Sequence, residues 1–451
     1  MKIQKQVPLT EGPILKSLTG LAVPIMISSF LGTLYNITDM AWIGLLGSKA
    51  VAAVGVGGMY VWLSQGLASL ARMGGQVHVA QCLGRGDKEQ AHRYAKTAVQ
   101  LSILLGLAFA AVSLLFTDPL VGFFKLEGVK TILDAKIYMR ITCGLILFSF
   151  LNLTLTGLYT AQGDSKTPFV ANFIGLLINL LLDPLLILGV GPFPRIEVAG
   201  AAVATVSAQL VVMLVMMVGV FRSKKEENVL KGIRLFEPFS KEELGNICKI
   251  GGPTAIQGMV YCMISMVLTR MVAAFGAEAI ATQRVGGQIE SVSWNTADGF
   301  AAALNAFVGQ NYGAKKMDRV QKGYRISFWT VAIWGALIML AFIIFPGPIA
   351  GVFFHEEKAM EIAISYLIII GFSEAFMCVE LMTIGALSGL GKTKLCSVIS
   401  ITATSMRIPL AMVLSRTSLG LDGIWWALTL TSVAKGIIFY LTFRYQMHEK
   451  C

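Results

Sequence analysis

The chain has 451 residues, of which 55% are hydrophobic and 14% charged, with a formal net charge of +11. Soluble domains carry about 25% charged residues. This composition and a mean hydropathy of +0.70 therefore exclude a soluble globular enzyme, a disordered chain and a free nucleic-acid binder.

A membrane-spanning helix uses about 20 apolar residues, and the apolar content suffices for about twelve. In chain order the pattern predicts helices at about 14–44, 51–80, 92–117, 133–161, 168–190, 197–221, 250–275, 279–309, 320–346, 360–388, 394–415 and 421–446. The fold class is therefore an all-α polytopic membrane protein, twelve transmembrane helices in two six-helix bundles. The domains are an N-terminal lobe (1–222), a charged cytoplasmic linker (223–249) and a C-terminal lobe (250–451).

The positive charge is a topology signal. With both termini cytoplasmic, inner connections and ends hold 24 of the 37 Lys and Arg, the outer connections seven and the spans six. The connection after span six alone carries Arg222, Lys224, Lys225, Lys231, Arg234, Lys241 and Lys249. That bias fixes orientation in a cell (plasma) membrane. No cleavable signal peptide precedes span one. The seven cysteines are scattered without a CxxC pair and read as free thiols.

The first span opens on Pro24 and carries Tyr35, Asn36 and Asp39 near its outer end. Asn152 lies in span four. The fifth span brings Asn179 and, one turn on, Asp183 ahead of an outer Gly189-Val-Gly191 turn; the sixth brings Thr205 to similar depth. Ionisable groups in hydrocarbon are costly and mark function by default. Two carboxylates close together in low dielectric cannot both ionise cheaply, so one is expected to hold a proton. Such a pair suits a coupling cation, proton or sodium; the alternative is a hydrogen-bonded plug, with Pro184 a kink device. Arg72, in span two, either snorkels or pairs structurally.

Past the linker the chain repeats itself. A shift of 229 residues lays Pro24–Gly84 over Pro253–Gly313 with 13 of 61 positions identical, against roughly 6–7% by composition. Six helices per copy leave both halves facing the same way. This predicts a pseudo-two-fold axis along the membrane normal and alternating access. In the second half Tyr261, Glu290, Asp298, Glu374 and Glu380 either line a substrate path or form buried pairs with Arg407 and Lys435. Residues 389–393 lack the first glycine of a P-loop, and no nucleophile–base or metal constellation indicates an enzyme.

The residues resemble the multidrug and toxic compound extrusion (MATE) family, bacterial type. The resemblance spans both halves and rests on Pro24 and Pro253, on Gln81-Cys-Leu-Gly-Arg-Gly-Asp87, on Gly157-Leu-Tyr-Thr-Ala-Gln-Gly-Asp-Ser-Lys-Thr-Pro168 and on Asn179-Leu-Leu-Leu-Asp183-Pro184. It implies multidrug and organic-cation efflux driven by inward proton or sodium flow. Its first-lobe cation site falls on Asp39, Asn179, Asp183 and Thr205, supported by Tyr35 and Asn152, with Pro24 as a hinge. The second lobe departs from the sodium-coupled pattern: Tyr261 and Met377 stand where that branch has acids. No cofactor is implied beyond the coupling ion. The partners implied are amphiphilic or cationic small molecules and the bilayer, with the protein acting as a monomer. A lipid-linked oligosaccharide flippase of the same superfamily is the alternative; a passive channel ranks below it.

Overall fold

The computed structural model describes residues 6–448 apart from 127, 190–193, 224–227, 236, 239 and 355. Lys224, Lys225, Gly191 and Cys451 lie outside the described residues. The six described cysteines are free thiols.

Among the described residues there are helices and no strand. The first half holds α1 (Ile14–Gly44), α2 (Ser48–Arg85), α3 (Lys88–Leu115), α4 (Thr117–Gly122), α5 (Val129–Gly144), α6 (Leu147–Ala161), α7 (Lys166–Ile187) and α8 (Glu197–Arg222). The second holds α9 (Lys241–Ala273), α10 (Ala277–Gly313), α11 (Met317–Ile344), α12 (Pro346–Gly351), α13 (Glu357–Gly371), α14 (Glu374–Gly389), α15 (Thr393–Ser405), α16 (Arg407–Leu414) and α17 (Leu421–His448).

Nine spans are long and apolar enough to cross a membrane, with α15 and α16 counted as one, and two bent pairs bring the number to eleven. The pairs are α5 with α6, bent by 42°, and α13 with α14, bent by 50°. The twelfth span is α10, long enough at 37 residues but loaded with Arg284, Glu290, Asn295 and Asp298. Hydrocarbon demands a partner for every backbone group, and the kinks meet that demand locally. Thr429 Oγ1 donates to the Ile369 carbonyl at 2.8 Å, and Ser373 Oγ to Ile370 O at 2.8 Å.

The duplication is written into the backbone. The 229-residue shift carries Lys88–Leu115 (α3) onto Met317–Ile344 (α11) and Thr117–Gly122 (α4) onto Pro346–Gly351 (α12). Gly47 and Gly276, at φ 103° and 111°, open α2 and α10 alike. A Cβ on Gly57 would stand 2.4 Å from Tyr138 Cδ1, and one on Gly286 would stand 2.1 Å from Tyr366 Cε1. One glycine-and-tyrosine crossing is thus built twice.

The chain divides into two compact units, Met1–Val7 with Ile27–Gly258, and Pro8–Met26 with Met259–Cys451. The boundaries cut through two continuous helices. On α1 the cut falls two residues past Pro24, and on α9 five residues past Pro253.

Each unit ties down its own chain end. In the first, Val7 N–H donates to Gly163 O at 3.1 Å. In the second, the carbonyls of Leu9, Glu11 and Gly12 accept from the Arg319 guanidinium at 2.8–3.2 Å, and Lys316 holds Thr10 O at 3.0 Å.

The segment expected as a linker is mostly structured within the first unit. His92 and Gln100 on α3 bond the carbonyls of Val229, Leu235 and Glu237, and Lys96 pairs with Glu237 at 2.7 Å. That ion pair holds the Glu237 carboxyl below its usual range. Residues 241–249 already belong to α9, which begins about nine residues before the predicted start. Its Ile247 is fully buried, and Gly74 and Gly251 let α9 press on α2: a Cβ on Gly251 would stand 1.9 Å from Leu70 O.

Gly251→Val is therefore expected to destabilise the protein by about 1–3 kcal/mol through overpacking. Gly245→Ala, on the open side of the same helix, is expected to be neutral or mildly stabilising. Thermal unfolding of the purified variants in detergent separates the two, and equal transition temperatures would refute this account of the α2–α9 contact.

Candidate cation site

The first unit's polar cluster follows from the packing of α7 on α8. The buried residues of α7 include Ala171, Gly175, Asn179, Asp183 and Ile187, one every fourth position, so they form a single stripe. Gly175 sets the approach, since a Cβ there would lie 2.4 Å from Val212 Cγ2 of α8. With the stripe pressed inward, Asn179 and Asp183 are 1% and 0% exposed. Pro184 cannot donate to the carbonyl one turn earlier, which frees the helix to bend directly after the acid.

From α1 come Tyr35 and Asp39, an i,i+4 pair, and from α8 comes Thr205. Tyr35 Oη donates to Thr205 Oγ1 at 2.9 Å. Asn179 Nδ2 makes longer contacts with Tyr35 Oη at 3.4 Å and Asp183 Oδ1 at 3.3 Å. Asp39 is 8% exposed and close enough to Asp183 for their charges to interact. Asp39 Oδ1 and Asp183 Oδ2 are both buried with no hydrogen-bond partner.

An orphaned buried oxygen costs about 1–3 kcal/mol, and more when it carries charge. Two such oxygens on neighbouring carboxylates, with the Tyr35 and Thr205 hydroxyls in the same cluster, form a donor set for a proton or a hard cation such as sodium. The fit follows from the atoms present: each orphan lacks a donor, and either ion supplies the missing positive charge.

The structure thus brings together Tyr35, Asp39, Asn179, Asp183 and Thr205. Asn36 does not join them; it lies on the exposed side of α1. Asn152 acts at one remove, its Nδ2 donating to Gln209 O at 2.8 Å and so pinning α6 to α8, with Oδ1 left unpartnered.

Tyr138 is an addition to the set. It is 6% exposed and within electrostatic range of both carboxylates. The 229-residue shift lays it on Leu367, one residue past Tyr366, so only the fold shows that Tyr366 makes the matching crossing against Gly286.

The second unit's acids form a different arrangement. Tyr366 Oη donates to Glu290 and Ser293 Oγ to Glu374. Glu374 Oε1 is buried without a partner, and Glu290 and Glu374 interact electrostatically. Glu380 forms an ion pair with Lys435 at 2.8 Å, both side chains 6% exposed. Arg407 bonds Thr431 at 3.0 Å and Ser432 at 2.8 Å and lies within electrostatic range of Glu290. Asp298 is part-buried on α10. Tyr261 is 46% exposed on α9. Of the two readings offered by the sequence, Glu380 with Lys435 takes the buried pair.

Such architecture, a duplicated bundle of membrane-spanning helices with buried acids at mid-helix positions, defines a polytopic transporter scaffold. A family profile described as MatE matches residues 24–185 and 253–413, and the chain belongs to that family. Among its relatives, the probable multidrug resistance protein NorM of Thermotoga maritima is 30% identical, over 93% of this chain and 90% of that protein. The FAD transporter of Shewanella oneidensis is 25% identical, over 96% and 95%. A crystal structure of a MATE protein in the straight conformation superposes with a TM-score of 0.90 at 24% identity, covering 99% of both chains.

Breaking the buried pair in the second unit has a defined outcome. Lys435→Met leaves Glu380 buried and unpaired, with an expected loss of about 3–5 kcal/mol; adding Glu380→Gln is expected to recover most of it. Thermal unfolding of single and double variants measures this. A double variant no better than the single would show that the pair is not the cause.

Proposed function

We propose that the protein is a secondary active exporter of amphiphilic and cationic small molecules, driven by inward flow of protons or sodium through the first unit. The observation that carries this reading is the pair of orphaned oxygens on Asp39 and Asp183, buried beside Asn179, Tyr35 and Thr205. The relatives named as multidrug resistance proteins support the substrate class, and the FAD transporter shows that related chains also carry other cargo. Its Lys and Arg distribution supports a cell-membrane location with both termini cytoplasmic.

The cycle begins with a cation arriving at the orphaned oxygens. Neutralised carboxylates no longer repel each other, and a protonated oxygen becomes a donor, so the Thr205–Tyr35–Asn179–Asp183 bonds re-form in a new pattern. α1 is the element able to respond. Pro24 removes one of its backbone bonds, and the helix belongs to one unit before residue 27 and to the other after it. An ion drives such a change only by binding one state more tightly than the other. The substrate leaves outward as the ion enters, and binds again from inside once the ion has left.

Reconstituted efflux of a fluorescent organic cation under an imposed proton or sodium gradient tests this. Asp39→Asn is expected to cut gradient-driven efflux by about tenfold or more, because a side chain of fixed charge no longer distinguishes the ion-bound state. Normal gradient-driven efflux by Asp39→Asn would end the coupling assignment. Flux that ignores the gradient in the unmodified protein would support a passive channel instead. Pro24→Ala is expected to slow turnover several-fold without lowering the transition temperature, since alanine restores the helix bond.

A further inference from the structure

The 229-residue shift lays Lys322, Arg325 and Trp329 of α11 on Arg93, Lys96 and Gln100 of α3. In the first copy the chain itself meets all three. Arg93 faces Glu243 at 3.7 Å, Lys96 pairs with Glu237 at 2.7 Å, and Gln100 holds the carbonyls of Leu235 and Glu237. In the second copy Lys322 and Arg325 are exposed and form no ion pair among the described residues. Trp329, in the place of the glutamine, is 60% exposed. Two basic positions thus find carboxylates of the protein on α3 and find none on α11.

The exposed face of α11 runs on as apolar surface. Lys322, Arg325, Trp329, Ile333 and Leu337 are all exposed at steps of three or four residues, which places them on one side of the helix. Along it lies a groove of about 220 Å³, walled by Met26 of α1, Phe300 of α10, and Ile333, Trp334 and Leu337 of α11. Its two threonines, Thr296 and Thr330, turn their hydroxyls onto carbonyls of their own helices, so the walls are apolar. Ile333 and Leu337 belong both to the groove and to the exposed face, so the groove opens toward hydrocarbon.

Its size and depth suit an acyl chain. An apolar cavity of about 150 Å³ already takes benzene. Ile333 lies 11 residues past Lys322, about 16 Å along the helix axis. That is close to one leaflet's half of a hydrocarbon core about 30 Å thick.

We propose that an anionic phospholipid docks here, its phosphate on Lys322 and Arg325 and one acyl chain in the groove. The negative charge follows from the first copy, where the matching positions hold carboxylates. The lipid follows from the continuity of the two charges with an apolar groove at the depth of a leaflet. The bound chain touches α1 at Met26, two residues past Pro24. Met26 itself packs on α10, where a Cβ on Gly299 would stand 2.4 Å from Met26 Cγ. Such a lipid supports α1 next to its hinge, whatever cargo the transporter carries.

Native mass spectrometry of the purified full chain in detergent resolves each bound lipid. It is titrated with phosphatidylglycerol and with phosphatidylcholine of the same chains. The unmodified protein is expected to bind the first phosphatidylglycerol about 25-fold more tightly, at about fivefold per basic residue. Lys322→Gln with Arg325→Gln is expected to erase that preference and leave phosphatidylcholine binding unchanged. The exchange Lys322→Arg with Arg325→Lys is expected to keep it, as is Lys96→Gln, whose charge Glu237 meets. Thr330→Phe, which fills the groove and spares both charges, is expected to weaken both lipids several-fold without lowering the transition temperature.

Equal binding of the two lipids by the unmodified protein would overturn the proposal, as would a preference that survives the double glutamine variant. Loss of the preference in Lys96→Gln or in the charge-conserving exchange would overturn it too. Displacement of phosphatidylglycerol by glycerol phosphate would mark a site for soluble anions instead. Unchanged lipid binding in Thr330→Phe would show that no acyl chain occupies the groove.

Discussion

In hydrocarbon nothing outside the protein can satisfy a hydrogen-bonding group, and most of this structure follows from that constraint. It explains why the described residues form helices alone, and why each helix break is met from within. Where α13 turns into α14, the Ile369 carbonyl is taken by Thr429 of α17, and Ser373 folds back onto Ile370. The same constraint makes exceptions informative. A buried atom without a partner is costly here, and such atoms on Asp39, Asp183 and Glu374 stand at positions where the chain could have placed leucine.

The two copies separate scaffold from chemistry. They share helix boundaries through α3 and α11, the left-handed glycines at 47 and 276, and the glycine-and-tyrosine crossings at 57 with 138 and 286 with 366. They do not share their buried acids. The 229-residue shift lays Asp39 on Leu268, Glu290 on Val61 and Arg72 on Ala301. Backbone packing was therefore kept by both copies, while each took its own set of buried ionisable groups.

Much of this was legible in the sequence because a membrane imposes one strong period. Eleven of the twelve predicted spans match helices or bent pairs to within a few residues of the described bounds. The exception at an end is α9, whose first turns carry Lys241, Glu242, Glu243 and Lys249 and so read as linker. Only the fold shows Ile247 buried against Gly74. The short helices α4 and α12 were absent from the expectation, since six residues containing Asp118-Pro119 or Pro346 give no periodic signal. For the candidate site, i,i+4 spacing pointed to Tyr35 with Asp39 and Asn179 with Asp183. Spacing could not reject Asn36, which shares a turn with Asp39 but faces outward, nor could it find Tyr138, which approaches from another helix.

What distinguishes a structural charge from a working one in this fold is where its counter-charge comes from. Glu380 and Lys435 answer each other inside the protein at 2.8 Å. Such a pair has no reason to change state, because removing either partner strands the other. Arg407 is likewise held by two hydroxyls of α17. Asp39 and Asp183 have no such partner. Their charges repel, and each keeps an oxygen with no donor, so their lowest-energy state includes a cation from outside. A site of that kind must exchange with solvent to be filled, and filling it alters the bonds of Asn179, Tyr35 and Thr205. Carriers need groups of this type, since a residue already satisfied by its own protein has nothing to gain from binding cargo or ion.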